Sequence, residues 1–161
     1  MKQIFDPGEV IQIAVRIEEN GEKFYRKMAD QFREPEIHEL FEFLAEEEVS
    51  HKDFYDNLYA EFKTYDPPAE HQLEYFEYIK SFANDVMFSQ KEFEKNLNSI
   101  TEVKDALEIA INTELNAILY FHEMKGMVKK EKRDILDKII SEERLHFIKL
   151  SNMKRKLEGK K

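Results

Sequence analysis

Ala45-Glu46-Glu47-Glu48-Val49-Ser50-His51 and Ser141-Glu142-Glu143-Arg144-Leu145-His146 each set an imidazole three residues after a carboxylate, inside a long run of helical periodicity. Residues three apart share a helix face, so Glu48 points with His51 and Glu143 with His146. Outward from the first motif, Ile37, Phe41, Leu44, Tyr55, Leu58 and Phe62 recur at steps of three and four; outward from the second, Leu136, Ile139, Leu150, Met153 and Leu157 do the same. Two more stretches repeat the pattern. One holds Ile11, Ala14, Glu18, Gly21, Tyr25, Met28 and Phe32, the other Val103, Leu107, Ala110, Glu114, Ala117, Phe121, Met124 and Val128. Such seams bury one stripe of each helix against a shared core.

Punctuation separates these stretches. Asp6-Pro7-Gly8, Glu34-Pro35, Asp66-Pro67-Pro68, Gly126 and Gly159 mark helix starts and stops, since Pro suits a first helical turn and Gly the position past a helix end. The expected helices run over 7–33, 36–63, 102–125 and 132–157. Four amphipathic helices with two short connections predict an all-α four-helix bundle of two antiparallel pairs, a single domain over 1–161. The crossover, about 64–101, is long enough to return along the bundle, which lets the second and third helices run parallel. It carries Leu73, Phe76, Ile79, Ala83 and Val86 near helical spacing, with Tyr65, Tyr75, Tyr78, Phe82, Phe88 and Phe93. It is expected to be partly helical and to cover an apolar flank of the bundle.

Composition narrows the chemistry. The 161 residues carry a formal charge of −9, which disfavours a grip on the phosphate backbone, so no nucleic acid is expected as a partner. Cys is absent, excluding disulfides, thiolate metal sites and thiol nucleophiles; any metal must be held by oxygen and imidazole. Only 4 Gly and 4 Pro argue against a fold of many short strands. No window is apolar and long enough to span a membrane, and the amino terminus lacks a secretory pattern. The reading is a soluble, cytoplasmic protein.

The two halves are versions of one unit. A shift of 96 residues superposes Ala14 on Ala110, Glu18 on Glu114, Gly21 on Ala117, Tyr25 on Phe121 and Met28 on Met124; a shift of 95 superposes Glu48 on Glu143 and His51 on His146. Four carboxylates therefore lie on seams where apolar side chains belong, and burying a lone carboxylate costs several kcal/mol. Two divalent cations would neutralise Glu18, Glu48, Glu114 and Glu143 by charge, and His51 and His146 would complete the donor set. Hard oxygen with borderline nitrogen suits iron or manganese. This is the ligand set of di-iron and di-manganese carboxylate bundles.

With the run Ala14-Val15-Arg16-Ile17-Glu18-Glu19-Asn20-Gly21-Glu22-Lys23-Phe24-Tyr25 added to the two Glu-x-x-His segments, the sequence resembles the rubrerythrin-like branch of the ferritin-like superfamily over all four bundle helices. The resemblance implies that Glu48 and Glu143 bridge two metals, while Glu18 with His51 and Glu114 with His146 complete one metal each. It implies two iron ions, manganese being the alternative, acting on peroxide or dioxygen. Ala117 stands where rubrerythrins usually carry a further Glu, and the four-Cys rubredoxin-type domain is missing. Electrons are then expected from a separate donor protein.

Other residues carry weaker expectations. Tyr25 is expected to pack in the core with its hydroxyl paired, with hydrogen bonding to a bridging carboxylate or a redox relay as its functional alternatives. Gly21 suggests a close approach near the site. Glu19, Glu47 and Glu142 adjoin the proposed ligands and would replace them in a register shifted by one. His38, His71 and His122 read as surface or packing residues, and the basic run Lys125 to Arg133 as a solvated loop. The expected function is a di-iron oxidoreductase reducing hydrogen peroxide or dioxygen as a homodimer in oxidative-stress defence. A ferroxidase or iron-storage protein, a dimanganese catalase and a non-catalytic metal-binding bundle are the alternatives.

Overall fold

A computed structural model describes residues 7–62, 74–82, 90–126 and 128–159 of the chain. The elements are α1 (Pro7–Gln31), α2 (Pro35–Phe62), α3 (Glu74–Phe82), α4 (Gln90–Ser99), α5 (Val103–Lys125) and α6 (Lys130–Gly159). The described residues form helices and connections, without a strand. The long helices fall within two residues of expectation at each end. α1 stops at Gln31 rather than 33 because Glu34 precedes Pro35, whose ring disfavours helical backbone in the residue before it. Phe32 still closes the last turn, its N–H donating to Met28 O at 2.9 Å.

Contacts along the helices fix their directions. Gln12 meets Tyr59, Lys52 meets Glu19 and Arg26 meets Glu46, so α1 and α2 are antiparallel. Tyr120 Oη donates to Val10 O at 2.8 Å and Tyr25 Oη to Glu114, which makes α1 and α5 antiparallel as well. It follows that α2 and α5 run parallel, as the long crossover permits. Lys125 with Asp137 and His122 with Arg144 set α6 antiparallel to α5. The closest packing is within the pairs α1–α2 and α5–α6.

The apolar core is two clusters rather than one. The first joins Val10, Ile11, Ala14 and Ile17 to Tyr55, Leu58, Phe121, Met124 and Leu136. The second joins Tyr25, Met28 and Phe32 to Phe41, Leu44, Leu107, Ala110 and Leu150. Each large side chain so buried stabilises the fold by about 1.5–3 kcal/mol. A polar layer lies between them.

The crossover is helical in two pieces, and each serves a different cluster. On α3, Ile79 is buried in the first cluster and Phe82 stacks on Tyr120 with ring centroids 6.4 Å apart. On α4, Phe93 and Leu97 pack against the second. The connector's aromatics therefore cover hydrophobic flanks where they are described, while Tyr78 is exposed. Leu73, Ala83, Val86, Tyr65 and Phe88, together with the side chains of Tyr75 and Phe76, lie outside the described residues.

Candidate metal centre

Every seam carboxylate and imidazole ends up in the polar layer. Glu18 comes from α1, Glu48 and His51 from α2, Glu114 from α5, and Glu143 and His146 from α6, each no more than 4% exposed. Glu18, Glu48, His51 and Glu143 form one set, and Glu48, Glu114, Glu143 and His146 another, with donor atoms all within 4.8 Å of one another in each. Glu48 and Glu143 belong to both. Among the described residues, ion pairs of the six run only to one another and to Glu47 and Glu142; no Lys or Arg nitrogen reaches them.

Atom directions distinguish this layer from a hydrogen-bonded core. His51 Nδ1 is 2.8 Å from Glu143 Oε1, and His146 Nδ1 is 2.9 Å from Glu143 Oε2. Yet these atoms are not aligned as hydrogen bonds, and Glu18 Oε1 is likewise buried without a partner. Buried polar atoms in a native core are nearly always paired. Nitrogen and oxygen atoms crowded side by side instead make a donor shell that cations would complete.

The electrostatics agree. Burial, with neighbouring carboxylates, pushes Glu18 and Glu48 well above the usual carboxylate range, and burial with the charge of Glu143 pushes Glu114 up to about 8. Burial lowers an imidazole, but Glu143, with Glu48 and Glu142, lifts His51 to about 9. Glu114 and Glu143 lift His146 to about 11 in the same way. Glu143 itself is held well below the ordinary range, because its burial is outweighed by His146 and His51 beside it. Protons thus neutralise the layer when cations do not. A cation needs the deprotonated donors, so loading at pH 7 is expected to release several protons per chain, read by an indicator dye in weak buffer. Loading without proton release would contradict this picture.

The outer shell is supplied by residues the sequence offered only as off-register alternatives. Glu142 on α6 accepts a hydrogen bond from His51 Nε2 at 2.9 Å, which keeps a proton on Nε2 and makes Nδ1 the nitrogen that would give up its proton to hold a cation. Glu47 on α2 reaches back to within 3.9 Å of His146 Nε2. Each Glu-Glu-x-x-His motif therefore uses its second Glu inside the bundle and its first against the other helix's imidazole. Glu19 instead faces outward to Lys52 at 3.3 Å.

Tyr25 is buried with its hydroxyl paired, donating to Glu114 rather than to either shared carboxylate. At Gly21 the close approach is a side chain: an added Cβ would lie 3.1 Å from Glu48 Cδ. His38 bonds Ala29 O at 2.8 Å and His122 meets Arg144, both packing contacts, and His71 lies outside the described residues. In the basic run, Lys125 pairs with Asp137 and Lys132 with Glu61.

A helical bundle with a buried layer of four Glu and two His, in two sets sharing two carboxylates, defines the class of carboxylate-histidine metal proteins. The sequence profile of the Rubrerythrin family matches residues 9–154, and the chain belongs to that family. A solved structure from Thermotoga maritima, of a protein described as a ferritin-like diiron-carboxylate protein, is 26% identical; 96% of this chain and 98% of that one are covered, with a TM-score of 0.70. No curated protein matches. Family and cluster together indicate a metal-binding oxidoreductase. Among the described residues, no helix is long and apolar enough to cross a membrane.

Proposed function

We propose that the six residues hold two iron ions, with Glu48 and Glu143 bridging, Glu18 and His51 completing one site and Glu114 and His146 the other, and that the centre reduces hydrogen peroxide. The observation that carries this reading is the sharing of Glu48 and Glu143 between two otherwise separate donor sets. Two ferrous ions held by these residues would supply the two electrons that, with two protons, reduce hydrogen peroxide to two waters. The chain's own residues set the conditions. Tyr25 holds Glu114 in place by a hydrogen bond, Glu142 fixes the His51 ring, and the two apolar clusters keep water from either side of the layer. The 161 residues hold no Cys, so re-reduction draws on an electron donor outside this bundle.

Anaerobic loading with ferrous iron, then mixing with hydrogen peroxide, is expected to oxidise two irons per chain in a fast phase that free iron in the same buffer does not show. Oxidation at the same rate and yield in a Glu48→Gln variant would reject the reading. Iron storage is separated by sizing chromatography: it requires a shell of many subunits, and a dimer or monomer rejects it.

A further inference from the structure

Tyr55 lies one turn beyond His51 on α2, is wholly buried, and its hydroxyl has no hydrogen-bond partner. An unpaired buried hydroxyl costs about 1–3 kcal/mol. Phenylalanine would fill the same apolar surroundings without that penalty. The other wholly buried tyrosines are paired, Tyr120 with Val10 O and Tyr25 with Glu114. Packing therefore explains the ring of Tyr55, which lies 5.1 Å from Phe121, but not its oxygen.

The surroundings indicate what the oxygen is for. Helical side chains lean toward the preceding turn, which here carries His51. Tyr55 continues the buried stripe of Glu48 and His51 on α2, at steps of three and four, and burial with the nearby carboxylates of Glu18, Glu143 and Glu48 pushes its hydroxyl well above the ordinary value. Glu18 Oε1 is itself a buried atom without a partner. The internal repeat sharpens the point. Phe121 is the counterpart of Tyr25, and Leu150, 95 residues on, is the counterpart of Tyr55. Each tyrosine thus exists in one half only. Tyr25 belongs to the second apolar cluster and serves Glu114, whereas Tyr55 belongs to the first, on the other side of the polar layer.

We propose that the Tyr55 hydroxyl is a substrate-binding group, donating a hydrogen bond to hydrogen peroxide held on the side of the centre formed by Glu18 and His51. The proposal rests on the di-iron reading above. Glu18 needs one oxygen to hold a cation, and peroxide has both an acceptor oxygen for the tyrosine and an O–H that can donate to the other Glu18 oxygen. Dioxygen offers no donor and can satisfy only the tyrosine.

The test is Tyr55→Phe in the full chain, with azide as a probe that accepts a hydrogen bond. The variant is expected to keep two irons per chain and a metal-free melting temperature at or above that of the parent. Azide affinity of the oxidised, loaded protein, read by absorbance titration, should fall about tenfold, as for one lost hydrogen bond. In single-turnover mixing, oxidation by peroxide should slow by a similar factor and oxidation by dioxygen by clearly less. Parental azide affinity, equal slowing with both oxidants, or a loss of bound iron in Tyr55→Phe would each overturn the assignment. If the parent chain itself fails to load two irons, the di-iron reading falls instead.

Discussion

Glu48→Gln and Glu143→Gln are both expected to abolish stoichiometric metal binding, yet to have opposite consequences for the metal-free protein. Each carboxylate is common to the two donor sets, so either substitution removes an anionic donor from both metals at once. Elemental analysis should fall from two metals per chain to well under one. Metal-induced stabilisation falls with it: a site that binds only the folded state contributes about 4 kcal/mol at a thousandfold excess of metal over its dissociation constant. For a chain of this size each kcal/mol moves the melting temperature by about 2–4 °C. The metal-free difference follows from the environments. Burial and then Glu18 push Glu48 well above the usual carboxylate range, toward the neutral form that Gln reproduces. Glu143 is ionised between His146 and His51, and replacing it strips two buried imidazoles of their counter-charge. Breaking a buried pair costs roughly 3–5 kcal/mol. Melting in chelator should therefore leave Glu48→Gln near the parent and lower Glu143→Gln by several degrees. Equal metal-free melting of the two variants would show that the charges are distributed otherwise.

The bundle and its six inner residues were legible because they break a rule locally while keeping it globally. A seam of Ile, Leu, Phe and Tyr is ordinary, but a seam with a carboxylate at mid-length, repeated in four helices, has few physical explanations. Spacing along one helix also implied the direction of each Glu-x-x-His pair. Contacts that depend on how helices meet were not legible. Glu47 and Glu142 lie about 100° off the seam and look like solvated surface; only the packing of α2 against α6 turns them toward the opposite imidazoles. The partner of Tyr25 is 89 residues away on α5, so its hydroxyl could be read as paired, but not with which acid. In the crossover, helical spacing around Ile79 was visible, but not that α3 and α4 would serve different apolar clusters.

Gly21 is where the demands of helix and site oppose one another most directly. In mid-helix Gly costs up to about 1 kcal/mol relative to Ala, and the repeat places Ala117 at the matching position of α5. An alanine methyl at Gly21 would meet Glu48 Cδ at 3.1 Å, and Cγ and Oε1 at 3.3 Å, tighter than ordinary contact. In the metal-free protein the Glu48 side chain is free to yield a few tenths of an ångström, so Gly21→Ala should raise chelator-treated stability by up to about 1 kcal/mol. In the loaded protein the same carboxylate must stay where both donor sets require it. Metal affinity should then fall about tenfold, equivalent to 1.4 kcal/mol. Gly21→Leu removes the compromise: its extra atoms have nowhere to go beside Glu48, overpacking costs about 1–3 kcal/mol, and metal binding should be lost. Chelator melts and cobalt titrations of the three proteins check both halves. Parental affinity in Gly21→Leu would mean that Glu48 is not held at the position the two sets share, and that the glycine serves the helix pair rather than the centre.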